Sequence, residues 1–178
     1  MTASLTVRGA VDADVEALLV LVHSAYRGDA SRAGWTTEAD LLDGARTDAD
    51  LLRADLADPA TTVLVADADG LVACCAVTRV GEGTASFGTF AVSPDHQGGG
   101  LGRRMLAAAE ARARAEGATT MEMSVLAPRD DLIAWYRRRG YTVTERTRAF
   151  PYGDERYGRP RRDDLYFRVL TKTLVAGS

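Results

Sequence analysis

The glycine-rich segment QGGGLG, from Gln97 to Gly102, constrains the fold most because it stands directly before a run of strong helix formers. Four of its six residues are glycine, and each forfeits on the order of 1 kcal/mol against alanine in ordered structure. Bare backbone can turn sharply and aim its N–H groups at one ligand, and a helix N-terminus adds unpaired N–H groups and a positive dipole end. The pattern therefore predicts a strand that turns into a helix at an anion-binding loop, in preference to a merely flexible turn.

Hydrophobic periodicity and turn residues surround this loop with strands and helices. Strands are predicted, in chain order, in SLTVRGA, TTVLVAD, LVACCAVTRV, TASFGTFAV, ATTMEMSVLA, YTVTERTRA and DLYFRVLTKTL. Helices are predicted from Asp12 or Asp14, from Thr36 or Thr37, over Asp48–Leu56, over Gly102–Glu116 with Gly117 as cap, and over RDDLIAWYRRRG with Gly140 as cap. This order of elements predicts a mixed α/β sheet flanked by helices.

Length and composition bound the class of protein. A chain of 178 residues can bury one sizeable core, which predicts a single domain over residues 1–178. A formal charge of -3 argues against a general affinity for nucleic acid or anionic membranes. The apolar run Ala17–Val22 follows acidic residues instead of the basic flank of a secretory signal, so a cytoplasmic protein without a membrane span is expected. Cys74 and Cys75 are adjacent, which strains a mutual disulfide, and two free buried thiols are expected.

Two common phosphate-binding motifs do not fit the loop. A P-loop has Lys followed by Ser or Thr after its last glycine, whereas Arg103 and Arg104 stand here. A dinucleotide-binding fingerprint has glycine at its first, third and sixth places, and counting from Gly98 the sixth place is Arg103. The segment VSPDHQGGGLG instead resembles the signature of the GNAT superfamily of N-acetyltransferases, in which Val-x-Pro leads into Gln/Arg-x-x-Gly-x-Gly/Ala and then a helix.

This resemblance implies a GNAT-type fold, α/β with mixed α+β character, whose central mixed, mostly antiparallel sheet of six to seven strands is flanked by helices. It also implies acetyl-CoA as co-substrate, with the pyrophosphate held by the loop amides. The loop residues that take this role are Gln97, Gly98, Gly99, Gly100, Leu101 and Gly102, with Arg103 beside them. The pantetheine arm is implied to pair with the backbone of Phe90, Ala91 and Val92.

A second segment, LIAWYRRRGY from Leu132 to Tyr141, resembles the later helix of the same family. There a tyrosine four residues before a Gly-Phe/Tyr pair lies near the thioester sulfur, and Tyr136 holds that position. The family often has Asn seven residues before this tyrosine, where this chain has Arg129. From periodicity alone Tyr136 is a core aromatic; the resemblance assigns it to the departing thiolate. Because a free phenol is a weaker acid than a thiol by roughly 2 kcal/mol, hydrogen bonding to the thiolate is favoured over full proton transfer.

Direct acetyl transfer also needs an oxyanion donor and a base for the amine. A main-chain N–H between Phe90 and Val92 is the predicted oxyanion donor. Many relatives place Glu three residues before the motif valine, where this chain has Thr89, whose hydroxyl can order a water but is no base at neutral pH. Glu122, which faces opposite to Met123, is a candidate base through water; the alternative is a solvent-facing carboxylate at a sheet edge.

The resemblance implies that the segment from Ala25 to Thr47, together with the loop between the last two strands, walls the acceptor side. The candidates are Tyr26 and Trp35 as an aromatic wall, and Arg46, Glu38 and Asp40 as groups that read charged ends of an acceptor. Ordinary packing or surface roles are the alternatives for each. The basic loop Arg156–Arg162 is interpreted as solvated, with recognition of an acidic acceptor or of the cofactor phosphate as the alternative.

Together these features predict an acetyl-CoA-dependent N-acetyltransferase that acts on a primary amine of a small molecule, peptide or protein by direct attack in a ternary complex. No metal is expected to take part. Cys74 and Cys75 lie in an apolar strand, which raises a thiol pKa and so disfavours an acetyl-enzyme. A non-catalytic acyl-CoA-binding sensor or regulatory module is the alternative, kept open by Thr89. The sequence leaves open the acceptor and the oligomeric state, a homodimer included.

Overall fold

A seven-stranded sheet forms the centre of the molecule. The computed structural model describes residues 4–27, 38–44 and 46–175. The strands of this sheet are β1 (Thr6–Gly9), β3 (Thr61–Asp67), β4 (Leu71–Gly81), β5 (Thr84–Val92), β6 (Thr120–Leu126), β7 (Thr142–Ala149) and β9 (Tyr166–Thr173), while β2 (Leu42–Asp43) and β8 (Arg159–Pro160) pair with each other. The spatial order is β1-β3-β4-β5-β6-β9-β7, and its neighbours are antiparallel except β5 and β6, which are parallel. The predicted mixed, mostly antiparallel sheet of six to seven strands is confirmed.

Within the described residues, four α-helices cover the two faces of this sheet. They are α1 (Val15–Tyr26), α2 (Ala49–Ala57), α3 (Leu101–Ala115) and α4 (Asp130–Arg137). On one face Leu18 and Leu52 of α1 and α2 share a buried cluster with Val65 of β3. On the other face Met105 and Ile133 of α3 and α4 belong to a larger cluster. None of the helices in the described ranges combines the length and the apolar character that crossing a bilayer requires.

The two cysteines lie in neighbouring positions of β4 and therefore on opposite faces of the sheet. Cys74 belongs to the cluster under α1 and α2, and Cys75 to the cluster under α3 and α4. Both are buried free thiols, which confirms that expectation. Burial raises the pKa of Cys74 to about 12 and raises that of Cys75 as well.

Local cap signals fix the helix ends. The side chain of Asp48 accepts a hydrogen bond of 2.8 Å from the Leu51 N–H and so begins α2. Gly117 and Gly140 follow α3 and α4 with φ of 89° and 93°. That left-handed conformation ends a helix and favours glycine, so both predicted caps are confirmed.

The helix predicted from Thr36 or Thr37 is wrong over the part of it that the structure describes. Both threonines lie outside the described residues, and Glu38–Gly44 form a turn followed by the short strand β2. Leu42 is buried against Leu126 and Phe150, and the Arg161 N–H donates to the Leu41 carbonyl at 2.9 Å. This pairing with residues more than 110 positions later outweighs the helix propensity of the segment. It also means that the basic loop Arg156–Arg162, interpreted as solvated, contains the strand β8.

Candidate active site

The site begins where the parallel strands β5 and β6 diverge. Their pairing covers Thr84–Ser86 against Thr120–Glu122, although β5 continues to Val92 and β6 to Leu126. Beyond the paired segment a small cavity of about 60 Å³, here called the inner cavity, opens between the two strands. Residues 87–90 line it on one side and residues 123–126 on the other. Separated strands leave backbone N–H and C=O groups for an extended ligand to pair with.

A β-bulge in β5 shapes this opening. Cys74 of β4 pairs with Ala91 and Ala76 pairs with Gly88, so that Thr89 and Phe90 together stand opposite the single residue Cys75. Thr89 has a φ of 47°, which is uncommon for a β-branched residue and costs of order 1 kcal/mol or more. Bulges re-aim backbone groups next to functional sites. Thr89 and Phe90 lie outside the regular ladder, so their N–H groups are the candidates for an oxyanion donor at this strand.

The glycine-rich segment forms a second cavity of about 410 Å³, the loop cavity, together with Phe90 and Val92 of β5. Gly100 is the residue before α3 and has a φ of 82°, where a side chain would be strained. A Cβ on Gly102 would stand 3.2 Å from the Phe90 ring, so the close approach of helix and strand requires glycine there. Gln97 donates from Nε2 to the Val92 carbonyl at 3.0 Å and ties the loop to the end of the strand. Leu101 is buried in the core cluster, so it can offer a ligand only its backbone.

The loop cavity is electrostatically suited to an anion. Arg103 and Arg139 line it, and no acidic residue of the described chain does. The Arg139 guanidinium lies 3.6 Å from the centre of the Trp135 ring and donates to the Trp135 carbonyl at 2.8 Å. Burial, followed by repulsion from Arg138 and Arg103, lowers the Arg139 pKa. A second cation already disfavours this charge, so a bound phosphate would relieve the repulsion.

Tyr136 of α4 lines the inner cavity and is 4% exposed. Its ring makes edge contacts with Phe87, Trp135 and Tyr141. Burial raises the Tyr136 pKa well above its ordinary value, so the phenol remains protonated. Within the described residues its hydroxyl has no hydrogen-bond partner, yet it is not sealed from the cavity. The ring is thus the core aromatic that periodicity predicts, while its hydroxyl is free to donate to a ligand.

Tyr26 supports the site from behind instead of forming an open wall. It is 2% exposed and its hydroxyl donates to the Phe90 carbonyl of β5. The Arg46 guanidinium stacks 3.8 Å above the centre of its ring. Tyr26 therefore holds the bulged strand in place and stacks against Arg46, and both residues line the inner cavity. Trp35, the other predicted wall residue, lies outside the described residues.

A third cavity of about 330 Å³, the outer cavity, continues from the inner one towards α2, and both are lined by Glu38, Arg46 and Thr89. Arg27 and Glu38 are buried and joined by a 2.6 Å ion pair. Arg27 also donates to the Tyr157 carbonyl at 3.0 Å, which connects the end of α1 to the loop before β8. The Arg46 Nε lies 3.7 Å from Glu38, too far for a hydrogen bond. Glu38 is thus engaged by arginines, whereas the donors of Arg46 bond to no acceptor in the described chain.

Comparison with known proteins agrees with this geometry. The family model of the Acetyltransferase (GNAT) family matches residues 15–141. The chain belongs to the GNAT acetyltransferase family. A search of curated protein sequences found no match.

Solved structures share the fold of this GNAT protein at low sequence identity. The ribosomal-protein-S18-alanine N-acetyltransferase of Escherichia coli superposes with a TM-score of 0.71 at 16% identity, covering 98% of this chain and 97% of that one. The ribosomal-protein-alanine N-acetyltransferase of Brucella melitensis gives 0.70 at 22% identity, with 95% and 99% covered. Nourseothricin acetyltransferase gives 0.69 at 20% identity, with 98% and 100% covered. At these identities the likeness establishes the fold alone.

Glu122 of this GNAT protein is placed differently from either sequence interpretation of it. It faces away from the cluster that holds Met123, as predicted, but it is 6% exposed and β6 lies between β5 and β9, so it is not a solvent-facing carboxylate at an edge. Arg148 and Arg146 of β7 bind its two oxygens at 2.5 and 3.2 Å. It lines none of the three cavities described above. An ion-paired carboxylate away from the cavities is poorly suited to accept the amine proton.

Two residues of this GNAT site were not predicted in these roles from sequence. Arg139 lies in the segment LIAWYRRRGY without an assigned role, and it lines the loop cavity. Asp55 of α2 was not singled out, and it lines the outer cavity. No motif assigns either residue to a cavity, because the cavities are assembled from elements far apart in the chain. Arg129, which replaces the family's frequent Asn, is buried and paired with Asp131 at 3.1 Å.

Proposed function

We propose that this GNAT acetyltransferase moves the acetyl group of acetyl-CoA to a primary amine by direct attack in a ternary complex. The carrying observation is the continuity of the three cavities: the loop and inner cavities share Phe90, and the inner and outer cavities share Thr89, Glu38 and Arg46. One end of this channel carries the glycine loop and two arginines, and the other end is open to an acceptor. A channel with the anion site at one end and a diverged strand pair in its middle suits a long thioester with a phosphate group.

The residues present fit coenzyme A. Glycine at position 102 leaves room beside the Phe90 ring that a Cβ would fill. The described residues that line the loop cavity include two arginines and no acidic residue. The amides of Gln97, Gly98, Gly99, Gly100, Leu101 and Gly102, with Arg103 and Arg139, would hold the pyrophosphate. The backbone of Phe90, Ala91 and Val92 would pair with the pantetheine arm. Acetyl-CoA supplies an activated acyl group, and the chain supplies position, charge and exclusion of water.

Thr89 and Tyr136 are proposed to act at the reacting atoms. A backbone N–H at the Thr89 bulge would donate to the oxyanion. Thr89 lines both the inner and the outer cavity, and its hydroxyl would order a water there. The Tyr136 hydroxyl would donate to the departing sulfur, and because its pKa is raised by burial it would remain the donor. Arg46 lines both cavities and would disfavour the ammonium form of a nearby amine, which helps to deliver the free base.

The test is to incubate the protein with acetyl-CoA and a panel of primary amines and to follow the appearance of free CoA thiol and of acetylated product by mass. Thiol release that depends on the amine, with lines that intersect in a two-substrate kinetic plot, would support a ternary complex. Parallel lines, or an acetylated protein isolated in the absence of amine, would contradict it.

A non-catalytic acyl-CoA-binding module is the second candidate function. Thr89 stands where many relatives have a carboxylate. Glu38, the acidic residue that lines the inner cavity in the described chain, is ion-paired with Arg27. Glu122 is ion-paired with Arg146 and Arg148 and lies away from the cavity. Tight binding of acetyl-CoA in calorimetry, with no thiol release across a broad amine panel, would select it.

A further inference from the structure

The charged residues that line the outer cavity fall into two groups. Arg27, Glu38 and Arg46 form one ion-paired group, and Asp55 stands apart from it. Arg46 lies on the side that is shared with the inner cavity, where the proposed reaction takes place. Leu51 and Asp55 of α2 line the outer cavity and not the inner one. An acceptor that reaches from the reaction centre into the outer cavity therefore passes Arg46 and its ion-paired neighbour Glu38, and then meets Asp55, which lines only the outer cavity.

The Asp55 carboxylate has no partner among the described residues. It makes no hydrogen bond there, and no cation lies within 4.0 Å of it. The neighbouring Arg53 pairs instead with Asp12 at 3.6 Å and Asp50 at 3.8 Å. Burial, with a smaller contribution from the like charge of Asp58, raises the Asp55 pKa. A carboxylate that is partly withdrawn from water without a counter-ion is unfavourable, and a cation bound in the cavity would offset that cost.

We infer that Asp55 binds a second positive charge of the acceptor, remote from the amine that is acetylated, so that the preferred acceptors are dicationic amines. This inference rests on the proposed acetyl transfer for its meaning, because it names the class of substrate for that site. Arg46 disfavours an ammonium beside the reaction centre, whereas Asp55 favours an ammonium in the outer cavity. A monoamine whose only amino group is at the reaction centre leaves Asp55 without a counter-ion, whereas a diamine can occupy both places.

The direct test is equilibrium binding, which needs no turnover. Calorimetry compares 1,4-diaminobutane and 1,6-diaminohexane with butylamine and hexylamine, on the protein alone and in the presence of CoA. We expect the diamine to bind at least about tenfold more tightly than the monoamine of the same length, as a charge-assisted hydrogen bond predicts. In Asp55→Asn this ratio falls to about one.

The matched control is Asp50→Asn. Asp50 lies on the same helix and loses the same charge, but its side chain is 99% exposed and it does not line the outer cavity. The diamine preference should survive in this variant. Equal affinities for diamine and monoamine in the parent protein in both arms, or a preference that Asp55→Asn leaves intact, would overturn the inference. So would an equal loss of diamine and monoamine binding in Asp55→Asn, because Asp55 would then contact the reacting amine itself.

Stability provides a second measurement. Because Asp55→Asn removes an unpaired charge next to Asp58, we expect its melting temperature to equal or exceed that of the parent protein. A clear fall would mean that the carboxylate serves the fold, against the inference. The two proposals also fail separately. Turnover of monoamines and diamines with the same KM would support acetyl transfer and reject the role of Asp55. A diamine preference in binding without any thiol release would support the role of Asp55 and reject acetyl transfer.

Discussion

Tyr136 combines a packing role and a proposed catalytic role in one side chain. The ring fills the core between Phe87 and Tyr141, and the residue lines the inner cavity, where its hydroxyl has no hydrogen-bond partner among the described residues. Removing the oxygen should therefore leave the ring packing in place and cost only the hydrogen bond to the departing sulfur. The sequence could place this tyrosine on its helix, but only the structure separates its two functions.

We predict that Tyr136→Phe lowers kcat by at least about tenfold while KM for acetyl-CoA changes little, since the lost interaction forms mainly as charge develops on the sulfur. Steady-state kinetics measures both constants. Tyr141→Phe is the control, because its hydroxyl bonds to Glu110 at 3.0 Å and does not line the inner cavity. Unchanged turnover in Tyr136→Phe would remove the proposed role.

The cysteines give a second prediction at the scale of single residues. Burial raises the pKa of Cys74 to about 12 and raises that of Cys75, and both side chains are inaccessible, so neither is a thiolate at neutral pH. We expect a disulfide reagent at pH 8 to label neither thiol in the folded protein and both in denaturant. Rapid labelling that is blocked by acetyl-CoA and abolishes activity would contradict this and would reopen an acetyl-enzyme route.

At the scale of secondary-structure elements, the sequence predicted the strands and helix ends that depend on neighbouring residues. Alternation located the strands of the central sheet, and Gly117 and Gly140 marked the ends of α3 and α4. The conformation of residues 38–44 was not predicted, because Leu42 and Asp43 pair with Pro160 and Arg159. No residue near this segment in the sequence indicates that contact. The glycine loop was predictable for the converse reason, since its constraint comes from its own backbone.

The candidate site divides in the same way. The loop residues and Tyr136 follow from motifs that are continuous in sequence. Arg27 and Asp55 reach the outer cavity only through packing of distant elements, and the sequence shows no periodicity or spacing that links them. The sequence therefore predicts the phosphate-binding loop better than the residues that would select the amine.

Gly102 tests the contact between α3 and β5. Alanine at an early helical position should gain up to about 1 kcal/mol of helix propensity. Its Cβ would stand 3.2 Å from Phe90 and 3.5 Å from Trp135, and both rings line the loop cavity. Crowding of this kind costs about 1–3 kcal/mol and displaces the rings, so we expect Gly102→Ala to change stability little and to raise the Kd for CoA about tenfold.

Calorimetry with CoA and a thermal melt of the same samples measure the two effects of Gly102→Ala. Gly81→Ala adds the same methyl group at the end of β4, where nothing lies within 4 Å of the new Cβ, and it should leave the Kd unchanged. An unaltered CoA affinity in Gly102→Ala would show that the rings tolerate the methyl group or that the cofactor binds elsewhere.

At the scale of the whole molecule, acid should destabilise the fold through its carboxylates. The chain carries 25 acidic and 22 basic residues excluding histidine, so protonation of the acids turns a net charge of -3 into a large positive one. Asp14 is the least exposed of the paired carboxylates on the β1 edge. It accepts hydrogen bonds from Arg8 at 2.8 and 2.9 Å and from the Val11 N–H at 2.8 Å, and it joins β1 to the start of α1.

The hydrogen bond from Arg8 lowers the Asp14 pKa in the folded protein. Because the unfolded value is about 3.9, the stabilisation is fully present above that pH and is lost as the pH falls through the lower folded value. We predict that Asp14→Asn reduces the free energy of unfolding by about 1 kcal/mol at pH 7. The loss is no larger because Arg8 is partly exposed and solvent weakens the ion pair. The difference between variant and parent should shrink below about pH 4. Urea unfolding at pH 7, 5 and 3 measures it, with Asp12→Asn as the control, since its side chain is 81% exposed. A deficit at pH 3 as large as at pH 7 would show that the ionised carboxylate is not what stabilises this edge.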